Sequence, residues 1–123
     1  MKAFLIPENY DLPPTFVEVE GDDGDYATIL AICEPNGIPW PTRVTTQNGK
    51  NNDFVTVVDD NSADGSHYVN RRATQLSGYP GQLYGDVLFF SEDWVDDGID
   101  YVTLKPKAEV HFTEYLSLPT TKH

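Results

Sequence analysis

Apolar residues in this chain occur in short runs, each cut off by proline, glycine or an Asx cluster, and this punctuation restricts the chain to short secondary-structure elements. Ala3-Phe4-Leu5-Ile6 stops at Pro7, and Val87-Leu88-Phe89-Phe90 follows Gly85-Asp86. Both read as buried strands. Thr15 to Glu20 sets Val17 and Val19 against Glu18 and Glu20, the pattern of a strand with one wet face. Between Ile6 and Thr15, the stretch Glu8 to Pro14 reads as a loop.

Two short helices are expected, one from spacing and one from its caps. Tyr26, Ile29, Leu30 and Cys33 stand at i, i+3, i+4 and i+7, which predicts a helix over Tyr26 to Glu34 ended by Pro35-Asn36-Gly37. Asp22, Asp23 and Asp25 precede it, where carboxylates cap free N–H groups; a metal site is the alternative reading. Asn70 is placed to cap a second short helix through Leu76, with Gly78 as its terminator. Asn48-Gly49 between Thr42–Gln47 and Lys50–Val58 signals a two-residue hairpin, with Phe54, Thr56 and Val58 on one face and Val55 and Val57 on the other. Glu92 to Asp100 reads as an acidic loop around Trp94 and Val95. Tyr101, Val102 and Leu104, then Lys105-Pro106-Lys107, then alternating Ala108, Val110 and Phe112 read as a second hairpin. The expected fold is a single α+β domain with a largely antiparallel sheet of about six or seven short strands and two short helices. Residues 1–98 form the main body, 99–117 a hairpin extension of the same domain, and 118–123 a tail.

Composition supports folding and narrows the partners. Leu, Ile, Val and Phe make 31 of 123 residues, enough for a core in one domain. Twenty acidic against eight basic residues leave a net charge of −12. Such a surface repels nucleic acid and anionic lipid and suits basic protein patches or cations, or serves solubility alone. Cys33 is the one cysteine, so there is no internal disulfide and no cysteine-based zinc site; on the apolar helix face it reads as a core residue. A reducing compartment fits. Met1 to Pro7 is too short for a signal peptide or a membrane helix.

Four groups of residues invite a chemical reading. Asp60-x-Ser62-x-Asp64-Gly65 is similar to half of a calcium loop, but Arg71 stands where the bidentate Glu belongs, so no metal is assigned. Glu92, Asp93, Asp96, Asp97 and Asp100 surround Trp94. Either this is a solvated loop with Trp94 turned inward, or an acidic patch around an exposed aromatic that docks on a basic protein. Arg71 and Arg72 follow Asn70, with Tyr68 and Tyr79 near in sequence. Arginine forks bind anions and aromatic rings stack on bases, so these five residues are candidates for a nucleotide-like ligand. The competing reading pairs both arginines with the plentiful carboxylates. His67, His111 and His123 are far apart, and His111 falls on the polar side of its expected strand. No nucleophile elbow, zinc-protease, phosphate-loop or dinucleotide motif occurs, and no cofactor is implied.

The order and spacing of several motifs carries a resemblance. Tyr68-Val69-Asn70-Arg71-Arg72-Ala73-Thr74-Gln75-Leu76, then Leu83-Tyr84-Gly85-Asp86-Val87-Leu88-Phe89-Phe90, together with the opening strand, resembles a family of small phage-encoded domains of unknown function. That family recurs in phages of actinobacteria and other bacteria. The resemblance covers about residues 1–98 and departs after Asp100. It implies phage origin and action in a host cytoplasm, and it brings no catalytic residues. The expectation is a non-catalytic accessory protein that binds and modulates a host protein through an acidic surface. The alternative is a binder that sequesters a nucleotide-like signal; a small enzyme ranks third.

Overall fold

A computed structural model describes residues 1–96 and 98–118. Its elements in chain order are β1 (Lys2–Ile6), β2 (Thr15–Glu18), α1 (Tyr26–Cys33), β3 (Pro41–Val44), α2 (Gln47–Asn51), β4 (Val55–Asp59), α3 (Arg71–Ser77), β5 (Val87–Val95), β6 (Gly98–Val102) and α4 (Pro106–Leu116). A short 3₁₀ turn, Glu34–Asn36, continues α1. The six strands form one open antiparallel sheet in the order β2-β1-β5-β4-β3, with β6 pairing the far end of β5. The α+β class is therefore as expected from the sequence.

Both faces of the sheet are covered, which explains why β4 and the start of β5 are apolar on consecutive residues. On one face Phe4, Ile6, Phe54, Val58, Val87 and Phe89 pack under Ala73 of α3 and Ala108 and Phe112 of α4. On the other, Ala3, Leu5, Val55, Val57, Leu88 and Phe90 meet Ile29, Ile32 and Cys33 of α1, with Ile38 just beyond. The ring of Phe112 stacks on Phe4 at 4.5 Å between centroids.

Three expectations are corrected. The Asn48-Gly49 hairpin is a helical turn: Thr46 caps α2 by accepting from the Gly49 N–H, and the flanking strands still pair, Thr42 opposite Val58. Thr46 outcompetes the turn because its side chain satisfies an amide that a tight hairpin would leave to solvent. The acidic loop is the β5–β6 hairpin, with Glu92 opposite Tyr101 and Trp94 opposite Ile99. The expected C-terminal hairpin is β6 followed by helix α4, which Pro106 opens. Ala108 and Phe112 are four apart and face the core, while Val110 between them is 56% exposed. His111 accordingly lies on a helix, half-buried, with its ring stacked on Phe54. Among the described residues four α-helices thus stand where two were expected. Of the expected tail, residues 119–123 lie outside the described residues.

The helix around Asn70 is as the sequence predicted. Its side-chain oxygen accepts from the Ala73 N–H at 3.1 Å, and Gly78 ends α3 with φ +72°. Asp25 precedes α1 but makes no side-chain bond to its free amides; the carboxylate takes the Thr28 hydroxyl instead. Asp23 accepts from the Thr103 N–H. The first acidic cluster therefore braces a loop against β6 rather than capping the helix.

Candidate functional site

Two surfaces stand out, at opposite ends of β5. The register sets Ile6 opposite Val87, so the loop after β1 gathers at the start of β5, and the β5–β6 hairpin lies at the other end. Val87 and Trp94 are seven positions apart along the strand, a span of roughly 23 Å.

At the hairpin end, β5 outruns its neighbours. It pairs β1 and β4 only as far as Phe90, and from Ser91 onward it pairs β6 alone. Trp94 is 76% exposed, with Val95 exposed beside it, which disposes of the inward-turned reading. Not all of the expected carboxylates are free. Glu92 receives a two-pronged bond from Arg43, Nε to Oε2 at 2.6 Å and Nη2 to Oε1 at 2.8 Å. This bond is the first cause that raises the Arg43 pKa. Asp93 pairs with Lys105 at 2.7 Å, and the same ammonium donates to the Glu92 carbonyl. Asp96 is exposed and Asp100 is half-buried beside Gly24. Asp97 lies outside the described residues. The Asp22–Asp25 loop is bound along β6, with the Gly24 N–H on the Tyr101 carbonyl. Two acidic clusters that are about 75 residues apart in sequence are thereby brought to one edge of the molecule by strand pairing.

Beneath Trp94 lies a shallow groove of about 270 Å³, lined among others by Lys50, Asp53, Phe54, Glu92 and Lys105. Asp53 holds a left-handed backbone, φ +58°, while its carbonyl accepts from the Ser91 hydroxyl. Asp is one of the residues that tolerate this region, so the turn costs little.

At the other end, the five residues expected to form one ligand site separate. Asn70 is 1% exposed and spends its amide on the carbonyls of Ile6 and Gly85. Arg72 is 5% exposed and donates to the carbonyls of Pro7, Asn9 and Leu12, with the Tyr10 ring 4.9 Å from its guanidinium carbon. Both residues are structural. Among the described residues neither arginine pairs with a carboxylate, contrary to the incidental-pair reading. Tyr79 packs against the core beside a different hollow, near Asp60 and Ser62. Tyr68 and Arg71 do share a cleft, and Tyr10 and Asp11, which the sequence reading passed over, join them. The Arg72 bonds to the β1–β2 loop could not be read from local pattern, since they join residues some 60 positions apart.

Elsewhere the chemistry is quiet. Burial, then the neighbouring Glu34, pushes the Cys33 thiol up to about 12. Asp60 accepts from the Thr42 hydroxyl, and Asp64 takes both the amide and the hydroxyl of Ser66, which lowers its pKa. Among the described residues, no group of three or more His, Cys, Asp or Glu side chains could hold a metal ion. No helix of the described residues is long and apolar enough to cross a membrane.

Fold and surfaces together define a small α+β protein with a projecting aromatic hairpin at one end and an open cleft at the other. No family model, curated protein or solved structure matches the chain.

Proposed function

We propose that this is a non-catalytic binding protein whose projecting β5–β6 hairpin occupies a basic surface of a protein partner. The exposure of Trp94 on a strand end that leaves the body of the sheet carries this reading. An exposed tryptophan costs solvation until a partner covers it, and tryptophan is among the strongest interface anchors. Asp96 and Asp100, joined by Asp22 and Asp25, supply a negative rim in a chain of charge −12. Such a rim speeds approach to a basic patch and rejects acidic ones. The resemblance to phage-encoded domains makes a protein of the bacterial host, met in its cytoplasm, the partner class.

The test is affinity capture from bacterial lysate at low and moderate salt, with wild type, Trp94→Ala, and Asp96→Lys with Asp100→Lys. One partner, weakened by salt and lost with either variant, is the expected result. Capture of the same proteins regardless of Trp94 overturns it. So does turnover of any substrate that is lost when one cleft side chain is replaced.

A further inference from the structure

We infer that the cleft between the β1–β2 loop and the start of α3 is a second, independent site, which takes a planar heteroaromatic ring carrying a single phosphate group, as in a nucleoside monophosphate. The cleft holds about 750 Å³ and is lined by Glu8, Tyr10, Asp11, Tyr68, Val69 and Arg71. That volume falls within the range of roughly 300–1,000 Å³ usual for small-molecule sites. It lies at the opposite end of β5 from Trp94, so it does not depend on the docking surface.

Three observations point to a ligand of this class. Tyr68 is 82% exposed, and among the described residues its ring touches no other ring; Tyr10 is half exposed, one side of its ring held against Arg72. Two tyrosines with open faces on one cleft form a stacking platform. Arg71 is exposed and makes no ion pair among the described residues, although the chain holds 20 carboxylates. Its guanidinium is free for a planar anion such as a phosphate. The walls are also fixed in advance: the three Arg72 bonds pin the loop, the Tyr10 hydroxyl accepts from the Arg71 N–H, and Glu8 accepts from the Tyr68 N–H. Pre-set walls reduce the ordering cost of binding.

Charge then sets the ligand's limits. Glu8 is already engaged by the Tyr68 amide and faces His67 at 3.6 Å. A neutral amide does not cancel a carboxylate's charge, so Glu8 and Asp11 stand against the single cation Arg71. Asp11 can accept N–H groups from a base edge, and Arg71 can take one phosphate. A triphosphate would bring further negative charge to a protein already at −12 with no second cation in the cleft.

The experiment is calorimetric and NMR titration of the intact protein with AMP, GMP, CMP and UMP, with GTP, a nucleoside and inorganic phosphate as further probes. At least one monophosphate is expected to saturate, at least tenfold tighter than GTP, the nucleoside or phosphate. Tyr68→Ala and Arg71→Ala should each weaken it roughly tenfold with an unchanged melting temperature, because both side chains are exposed. Trp94→Ala should leave it unaltered. Absence of saturation by all four monophosphates, tighter binding of GTP, or full binding by the Tyr68→Ala, Arg71→Ala double variant overturns the inference.

Discussion

Asn70→Asp is the sharpest probe of how this fold is held, because it changes one buried atom and preserves shape. In the native protein the Asn70 side chain does three things: its oxygen caps α3 at Ala73, and its nitrogen bridges the carbonyls of Ile6 and Gly85, both at 2.9 Å. Asp keeps the cap and loses both donors. Each orphaned carbonyl costs about 2 kcal/mol, so the loss is about 4 kcal/mol before any charge is counted. Single domains have about 5–15 kcal/mol in total. For 123 residues, at about 2.1 cal/mol/K of unfolding entropy per residue, this lowers Tm by roughly 15 °C. Burial and the two facing carbonyls would raise the folded-state pKa of the new carboxyl above its unfolded value of about 3.9. The charge penalty is therefore full above the folded pKa and fades as pH falls toward the unfolded one. Asn70→Ala, which carries no charge, should lose a similar amount with no such recovery. Urea unfolding from neutral to acidic pH, with midpoint and slope both fitted, reads this directly. A deficit under about 1 kcal/mol, or one that ignores pH in Asn70→Asp, refutes the reasoning.

Other consequences are equally direct. Phe112→Ala should cost about 3–5 kcal/mol in urea unfolding, since that ring meets Phe4, Phe54 and Phe89. Val110→Ala should stay within about 0.5 kcal/mol; equal losses at both positions would favour an alternating strand over helix α4. Cys33 is fully buried with its thiol raised to about 12, so Ellman's reagent should label it only in denaturant, and fast native labelling would contradict this placement. Burial lowers the His111 pKa from its usual 6.5, with the Glu114 charge acting in the opposite direction. The fold favours the neutral ring, so stability contributed by His111 is present above pH 6.5 and lost as pH falls through that unfolded value toward the lower folded one. Replacement by Gln should flatten that part of the stability–pH curve measured by urea unfolding, and an unchanged curve would contradict the burial argument.

Where the sequence was legible, a local rule and the tertiary contact agreed. Ala3 to Ile6 and Val87 to Phe90 are strands because both of their faces are covered. Asn70 and Gly78 bound α3 because an Asx cap and a left-handed glycine are local devices. Elsewhere one pattern served two structures. Ala108, Val110 and Phe112 alternate like a strand, yet 108 and 112 also satisfy a helix, and Pro106 suits a first helical turn as well as a sheet edge. Asn48-Gly49 reads as a hairpin only if Thr46 is ignored. The carboxylates of 92–100 mask a strand pair because dense charge is the usual mark of a loop, although Trp94, Val95, Ile99, Tyr101 and Val102 are good strand formers. The site residues were harder still. Asn70, Arg71 and Arg72 look alike from sequence as polar groups at a helix start. Helical geometry sends Arg71 outward and Arg72 inward onto a loop some 60 residues away.

The ion pairs at the hairpin give the proposed interface a particular kinetic character. Glu92 and Asp93 are neutralised by Arg43 and Lys105, and these pairs tie the outrunning end of β5 to β3 and to the residue before α4. Among the described residues of this end, the charge left to act at a distance is that of Asp96 and Asp100 with the Asp22–Asp25 loop. Asp96 lies two residues past the aromatic anchor, and Asp100 follows Ile99, the residue that faces the anchor across the hairpin. Charges at a rim govern how quickly partners meet, and that effect is screened over about 8–10 Å at ordinary salt. A buried tryptophan governs how long they stay together. Replacing Asp96 and Asp100 should therefore slow association and flatten its salt dependence with little change in dissociation. Trp94→Ala should speed dissociation and leave the salt dependence of association intact. If both variants altered the same rate constant, anchor and rim would not be separate parts, and the hairpin would bind by charge alone.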